Sequence, residues 1–396
     1  MKKYLLLLLM LPLQMACAKQ VGLWDVTDLY ETPKFEESAL LNKPGCKSLF
    51  YEGLVYKGVQ TKVFAYYGVP KGTPPKGGWP AVVCVHGGGG TAFEKWVEIW
   101  NTNGFAAISM DLEGHLPDSK KHTDRSTFPE SGPKRVGVFH DYKTPQKDQW
   151  YYHAVAQVIL GHSLIGSFPE VNADKVGMVG VSWGGMLSSA IAGIDDRFKF
   201  AIPSYGCGYL IGTDGHMGKS YKTGGAYLEN LKTHYESSNY IPNIRIPALF
   251  VNGTHDAHFP IPATNDSVLN SKPYSSALLI HKFPHGHGPI WQLPEVYDFA
   301  KSVITGKEPQ IDLESPVVDG GEITVDYKAN GYAITKTELY YTVDNGEWIK
   351  RNWIVTDGEY DKQNIKATIP VDAAAAFFSI VQSGGMRRTS PVWILK

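Results

Sequence analysis

The chain has 396 residues, of which 43% are hydrophobic and 19% are charged. This length allows one large domain and one small domain. The formal net charge of −1 at pH 7 excludes the basic surface by which many proteins bind nucleic acids. We therefore expect a folded protein whose partners do not include nucleic acid.

Residues 1–18 have the pattern of a signal peptide. Two lysines precede an apolar run over residues 5–13, and small residues follow at positions 16–18. The run is too short to span a membrane, so we expect export across the inner membrane. Two outcomes stay open. Cleavage before Lys19 would give a soluble periplasmic protein, whereas lipidation of Cys17 would give a lipoprotein of the outer membrane.

The next three hundred residues alternate strand and helix patterns. Residues 19–50 are expected to be an irregular lead-in, and residues 49–69 alternate apolar and polar side chains as an edge hairpin does. Short apolar runs predict core strands near residues 81–85, 106–110, 176–180, 199–204, 247–251 and 277–283. Because helical stretches separate these strands, the pattern predicts an α/β fold with a doubly wound, mostly parallel sheet over residues 19–308. Residues 114–147 lack this pattern and are typical of a lid or binding loop.

The composition changes near residues 305–310, and short alternating strands follow. They are predicted at residues 323–327, 334–342, 348–354, 365–370, 377–382 and 392–395. The Asp344-Asn345-Gly346 sequence is a hairpin-turn signal. We therefore predict a C-terminal all-β sandwich over residues 309–396, similar to a fibronectin type III module. Beyond the signal peptide the chain keeps three cysteines, at positions 46, 84 and 207, so at least one thiol stays free.

Ser182 is the strongest functional signal in the chain. It lies at the centre of a Gly-x-Ser-x-Gly pattern over residues 180–184, between a predicted buried strand and a predicted helix. In a nucleophile elbow, a strained turn holds the serine at this place, and glycines avoid collisions with the neighbouring strand and helix. We predict that Ser182 is a nucleophile. The alternative is a tight structural turn.

A glycine-rich segment follows an earlier core strand. His86 precedes four glycines at residues 87–90. Such a loop lets backbone N–H groups approach a reacting carbonyl, so we predict an oxyanion hole made by the N–H of Trp183 and that of Gly88 or Gly89. A flexible loop remains an alternative, and a phosphate cradle is disfavoured because the P-loop lysine is missing. We expect His86 and Trp150 to contact substrate.

Acidic and histidine candidates follow the last two predicted core strands. The order Ser182, Asp256, His287 is that of α/β-hydrolases. An imidazole must take the serine proton, and a carboxylate must hold that imidazole in one tautomer. We predict His287 as the base because glycines on either side free its loop, with His285 as a substrate-binding residue. Asp266 and Asp111 stay open as alternatives to Asp256.

A metal site is the competing chemical hypothesis. Five histidines and one aspartate lie close in sequence, at positions 255, 256, 258, 281, 285 and 287. Such side chains bind zinc, and a metal-bound water hydrolyses esters without a serine. No His-Glu-x-x-His helix is present, and the serine elbow is intact. We therefore expect no metal and no cofactor.

Several segments carry a resemblance to a known family. They are residues 148–155, 167–171, 180–185, 195–200, 203–208, 252–256 and 284–289. They resemble the bacterial acetyl xylan esterase and dienelactone hydrolase-like α/β-hydrolases, and also the catalytic domain of prolyl oligopeptidases. The resemblance implies a serine hydrolase whose catalytic positions are Ser182, Asp256 and His287. The lead-in is too short for the N-terminal propeller of the oligopeptidases, which disfavours a peptidase.

We therefore expect a secreted carboxylic ester hydrolase that forms an acyl-enzyme. The expected partner is a small-molecule or polysaccharide ester, with acetylated carbohydrate of the xylan type in first place. A peptidase of the prolyl oligopeptidase type, another ester or lactone hydrolase, and a non-catalytic binding protein on the same fold remain alternatives.

Overall fold

The computed structural model describes residues 19–307 and 311–395. The predicted signal peptide with Cys17 and the predicted boundary after residue 308 lie outside the described residues, and the division into domains stays a prediction. Among the described residues, every helix is too short or too polar to cross a membrane.

The first part of the chain alternates strands and helices. The strands are β1 (Gln20–Val21), β2 (Trp24–Asp25), β3 (Phe35–Lys43), β4 (Cys46–Tyr56), β5 (Val59–Gly68), β6 (Trp79–Val85), β7 (Ala106–Met110), β8 (Val171–Val181), β9 (Ala201–Ser204), β10 (Ala248–Gly253) and β11 (Ser275–Ile280). The helices are α1 (Val26–Leu29), α2 (Glu94–Thr102), α3 (Trp150–Gly166), α4 (Trp183–Ile191), α5 (His216–Tyr221), α6 (Gly225–Asn230), α7 (Ile261–Leu269), α8 (His287–Trp291) and α9 (Pro294–Thr305).

A parallel block forms the middle of the central sheet. Its strands lie in the order β7-β6-β8-β9-β10-β11, and every neighbouring pair is parallel. Residues 81–85 of β6 and all of β7 are buried, as expected for strands covered on both faces. The predicted α/β class with a large, mostly parallel central sheet is confirmed. Since the carboxyl ends of parallel strands meet at one edge of the sheet, this block gathers the candidate residues there.

Antiparallel strands extend the sheet beyond β7. The strands β5, β4 and β3 follow in that order, each antiparallel to its neighbour. The expectation of an irregular lead-in over residues 19–50 was wrong, because β1, β2, α1 and β3 lie there. Much of β3 is polar and exposed, so backbone pairing with β4 forms this strand without an apolar pattern to reveal it.

Antiparallel strands make up the end of the chain. They are β12 (Asp312–Leu313), β13 (Val317–Asp319), β14 (Glu322–Lys328), β15 (Ile334–Thr342), β16 (Ile354–Asp357), β17 (Glu359–Tyr360), β18 (Asn364–Thr368), β19 (Ala375–Gln382), β20 (Arg387–Thr389) and β21 (Trp393–Ile394). One layer contains β12, β13, β14, β18 and β17, and the other contains β16, β15, β19, β20 and β21. Ile323, Leu339 and Phe378 belong to the buried apolar cluster of these strands. The second layer joins the central sheet, because β20 pairs with β11.

The loop between β15 and β16 differs from the prediction. A strand was expected over residues 348–354 after a hairpin turn at Asp344-Asn345-Gly346, but a single helical turn lies at Trp348–Lys350. The loop is held against the first part of the chain: Trp348 N donates to the Asp214 carboxylate at 2.8 Å, and Lys219 pairs with Glu347 at 2.7 Å. These tertiary contacts replace a tight hairpin.

Candidate active site

Ser182 occupies the turn between β8 and α4. Its backbone has φ 59° and ψ −116°, a strained conformation for a residue with a side chain. Its N–H donates to the Ser204 carbonyl at 2.8 Å, which ties the turn to β9. A Cβ on Gly180 would collide with the Gly184 carbonyl, and a Cβ on Gly184 would collide with the Val85 carbonyl. The strand, turn and helix predicted around the serine are therefore all present, and the glycines are there for steric reasons.

Asp256 lies three residues after the end of β10, and its side chain is fully buried. One carboxylate oxygen accepts hydrogen bonds from the backbone N–H groups of His258 and Phe259, both at 2.8 Å. The other oxygen lies 2.6 Å from Nδ1 of His285. Such bonds hold the carboxylate rigidly, so its direction fixes the ring that it contacts.

His285 is held on several sides. The ring of Tyr205 lies 4.7 Å from the His285 ring, and the ring of His258 lies 4.8 Å away. The Tyr205 hydroxyl donates to the carbonyl of Pro284 at 2.7 Å, which fixes the preceding residue. Because Nδ1 faces Asp256, Nε2 is the ring nitrogen that remains for proton transfer.

His287 has a different partner, so the predicted contact between Asp256 and His287 is wrong. His287 is the first residue of α8, and its Nε2 accepts a hydrogen bond from the N–H of Gly87 at 2.9 Å. Burial lowers the pKa of His287 to about 3, with further contributions from His86, His285 and Arg125. The ring is therefore neutral near pH 7, with its Nε2 lone pair occupied by a backbone amide. At the start of α8, His287 points to the glycine loop (residues 87–90), and His285 is the histidine that contacts Asp256.

The glycine loop lies directly against the elbow. A Cβ on Gly87 would lie 3.0 Å from Cβ of Ser182, and a Cβ on Gly88 would lie 2.6 Å from Cδ1 of Trp183. The N–H of Gly89 donates to Oε1 of Glu113 at 3.2 Å, so the expectation that Gly89 lines the oxyanion hole is wrong. The N–H groups of Gly88 and Trp183 have no acceptor among the described residues. These two amides are free to bind an oxyanion.

Two residues expected to contact substrate instead support the loops. His86 is 2% exposed; its Nδ1 lies 2.7 Å from the Gly87 carbonyl, and its Nε2 accepts from Leu112 N at 2.8 Å. Trp150 is 3% exposed and donates from Nε1 to the Leu112 carbonyl at 2.6 Å. Its ring packs edge-on against Trp183. Both side chains are fully engaged inside the protein, so their predicted contact with substrate was wrong.

Glu113 anchors the other side of the glycine loop. Its side chain is 3% exposed and lies 2.8 Å from Nε of Arg135. Burial opposes ionisation of Glu113, but the charges of Arg135 and His86 and hydrogen bonds from Arg135 and Gly89 hold its pKa below the usual value. Arg125 donates to the carbonyl of Gly89 at 3.0 Å and also to that of Gly90. The sequence predicted a lid or binding loop over residues 114–147, but no spacing pattern identified Glu113, Arg125 or Arg135.

The six residues of the competing metal hypothesis are not gathered as a metal site. Among the described residues, these side chains do not bring three ligand atoms within 4.8 Å of one another; Glu113, His115 and His122 do so instead. The three cysteines at positions 46, 84 and 207 are free and buried.

Comparison with known proteins places the chain in a family. Residues 23–273 match the family model described as acetyl xylan esterase (AXE1). The acetyl xylan esterase from Paenibacillus sp. R4 is 19% identical in sequence with a TM-score of 0.55, and the alignment covers 71% of this chain and 92% of that one. Acetyl xylan esterase 1 from Thermoanaerobacterium sp. JW/SL YS485 is 16% identical with a TM-score of 0.51, over 71% of this chain and 93% of that one.

The family match includes Ser182 and Asp256 but ends before both candidate histidines. The similarity to the solved structures supports the same α/β-hydrolase fold. The match to the family model spans more than half of the chain. The chain therefore belongs to the acetyl xylan esterase family and is a serine carboxylic ester hydrolase.

Proposed function

We propose that the protein removes acetyl groups from O-acetylated carbohydrate through an acetyl-enzyme on Ser182. The observation that carries the proposal is the 2.6 Å contact between Asp256 and His285, in a chain with a strained serine elbow and a family match to acetyl xylan esterases. In this mechanism His285, and not His287, is the general base, and Asp256 holds its tautomer.

The acylation step follows from these assignments. His285 Nε2 removes the Ser182 hydroxyl proton while Oγ attacks the acetyl carbonyl carbon. The oxygen that becomes negative accepts hydrogen bonds from the N–H groups of Gly88 and Trp183. When the tetrahedral intermediate collapses, the bond to the sugar oxygen breaks and the imidazolium returns its proton to that oxygen.

Deacylation repeats the same chemistry with water. His285 removes a proton from a water molecule, whose oxygen attacks the acetyl carbon of the acyl-enzyme. The second tetrahedral intermediate collapses, Ser182 Oγ leaves and receives the proton, and acetate is released. The products are acetate and the deacetylated sugar, and no external reductant, oxidant or metal is consumed.

Side-by-side assays test the reaction and the substrate class. We expect acetate release from acetylated xylan and from a chromogenic acetate ester, with much slower cleavage of an aminoacyl anilide. Ser182→Ala should fold normally and lose at least about 10³-fold in ester turnover, because only binding and the oxyanion hole would remain. Near wild-type turnover in Ser182→Ala would exclude the acyl-enzyme. A preference for the anilide would identify a peptidase instead.

We also propose that the chain is exported. Two lysines, an apolar run over residues 5–13 and the small residues at 16–18 support this proposal. Expression of the full chain in a Gram-negative host, followed by fractionation, tests it. Cys17→Ser distinguishes the two maturation routes: the lipoprotein loses its membrane association, whereas a soluble periplasmic protein is unchanged. Retention of the uncleaved wild-type chain in the cytoplasm would contradict export.

A further inference from the structure

A second cluster of chemically active side chains lies beside the glycine loop. Glu113, His115 and His122 follow β7, and one ligand atom from each lies within 4.8 Å of the other two. None of these residues has a step in the proposed hydrolysis. Oε1 of Glu113 holds the glycine loop, but that role does not account for its Oε2 or for the two histidines.

The backbone that carries the cluster is tightly fixed. One oxygen of Asp111 accepts hydrogen bonds from the N–H groups of Glu113 and His115, both at 2.9 Å. These bonds hold two of the three side chains on one short turn. Oε2 of Glu113 then lies 3.1 Å from Nε2 of His122, which comes from farther along the loop.

His115 provides an independent indication of a ligand. It is 7% exposed, and its Nδ1 is buried with no hydrogen-bond partner in the described parts of the chain. Asp111 Oδ2 on the same turn is also buried and without a partner. Buried polar atoms in native proteins almost always have partners, and a bound ion is one explanation for an exception. The unpartnered Nδ1 of His115, beside the Glu113 carboxylate and the His122 ring, is consistent with a bound ion.

We propose that Glu113, His115 and His122 bind a divalent transition-metal ion of the Zn²⁺ type. Two imidazoles and one carboxylate form a ligand set typical of zinc, and they leave a fourth position for water. Nitrogen ligands favour Zn²⁺, Co²⁺ or Ni²⁺ over Ca²⁺ and Mg²⁺. The ion replaces the proton between Glu113 Oε2 and His122 Nε2.

The other oxygen of Glu113 connects this site to the glycine loop. Oε1 is held by Arg135 at 2.8 Å and by the N–H of Gly89 at 3.2 Å. The positive charge of Arg135 weakens the attraction of the site for a cation and so lowers its affinity. An ion on Oε2 leaves the contacts of Oε1 with Arg135 and Gly89 in place and connects the glycine loop to His122 through Glu113. Metal binding therefore stabilises the folded protein, and this inference does not depend on the identity of the ester substrate.

Metal titration of the full chain tests the proposal. We expect calorimetry at neutral pH to show Zn²⁺ binding at one ion per chain, with a rise in the thermal midpoint. Co²⁺ should bind with a visible spectrum that reports nitrogen ligation, whereas Ca²⁺ should not bind. His122→Ala is suited to the test, because the His122 side chain is 40% exposed and we therefore expect the variant to fold. It should weaken Zn²⁺ binding by at least about tenfold.

A matched variant controls for binding elsewhere. His140→Ala removes an exposed histidine from the same loop but outside the cluster, and it should bind Zn²⁺ as the wild type does. His115→Gln, checked for folding by circular dichroism, should match His122→Ala. The proposal is overturned if the wild type binds no Zn²⁺, if His122→Ala binds it unchanged, or if His140→Ala loses it equally.

Discussion

The glycine loop and the loop after β11 differ in construction. Contacts from other elements fix the glycine loop: His287 holds Gly87, Glu113 holds Gly89, and Arg125 holds its carbonyls. The loop after β11 carries His285, whose ring makes one strong polar contact, with Asp256. The two neighbouring histidines are therefore distinguished by their partners. One supports backbone, and the other keeps a nitrogen for chemistry.

Alanine substitution of each histidine tests this comparison most strongly. His285→Ala should reduce kcat by at least about 10³-fold, because members of a triad act as a unit. His287→Ala should reduce kcat by about tenfold or less, but should cost about 1–3 kcal/mol of unfolding free energy, since the Gly87 N–H loses its acceptor. Steady-state kinetics and urea unfolding of both variants measure these effects. The opposite order of kcat losses would return the base role to His287.

Glu113→Ala tests how much the glycine loop depends on its anchor. The side chain is 3% exposed, and its removal takes the carboxylate from Arg135, which is 19% exposed and keeps its bond to the Gly137 carbonyl, so we expect a loss of about 1–3 kcal/mol in stability. We also expect kcat to fall by about tenfold, because the proposed donor Gly88 is no longer held beside Trp183. Asp124→Ala is the control, because it removes an exposed carboxylate from the segment over residues 114–147, and it should leave both values unchanged. Unaltered unfolding of Glu113→Ala would show that the loop is stable without it.

The pH dependence of stability tests the supporting role of His287. Burial lowers its folded-state pKa to about 3, whereas an unfolded histidine titrates near 6.5. Below about pH 6.5 the unfolded chain binds a proton on this histidine that the folded chain does not. The free energy of unfolding is therefore highest above about pH 6.5 and falls on acidification. For this one group the fall is up to about 1.4 kcal/mol per pH unit. His287→Asn removes the titrating group but keeps an acceptor for Gly87. Urea unfolding from pH 7 to 4 should give a shallower slope for this variant; an identical slope would contradict the prediction.

Trp150→Phe should have the smallest effect on activity. The substitution removes the hydrogen bond to the Leu112 carbonyl and part of a buried ring, so we expect a loss of about 1–3 kcal/mol in stability. KM for an acetate ester should change by less than about twofold, because the ring packs inside the protein and does not reach substrate. Thermal unfolding and initial rates measure the two quantities. A tenfold rise in KM would mean that the indole contacts the ester after all.

The sequence predicted the features whose causes are local. The elbow depends on close approach at Gly180 and Gly184, and these constraints are visible in five consecutive residues. The core strands of the parallel block are short apolar runs, because both of their faces are buried. The strand and helix around Ser182 therefore followed directly from the pattern.

The features that the sequence did not predict depend on long-range contacts. His285 and His287 are two residues apart, and contacts from other elements, with the start of α8, decide which ring meets Asp256. Glu113 and Arg135 meet across a loop with no periodic pattern. The segment after residue 343 became a docked loop because Asp214 and Lys219 hold it. In each case the deciding partner lies in another element.

The pairing of β20 with β11 also affects how the protein behaves towards other chains. Without β20, β11 would be an edge strand of the sheet, with open backbone groups that invite pairing with another molecule. Thr389 covers that edge: its hydroxyl accepts from Leu279 N and donates to the Ala277 carbonyl, both at 3.0 Å. Asn265 fixes the following segment through two bonds to Val392. The C-terminal strands therefore cover the backbone edge of β11, and the edge of the sheet lies at β16 instead.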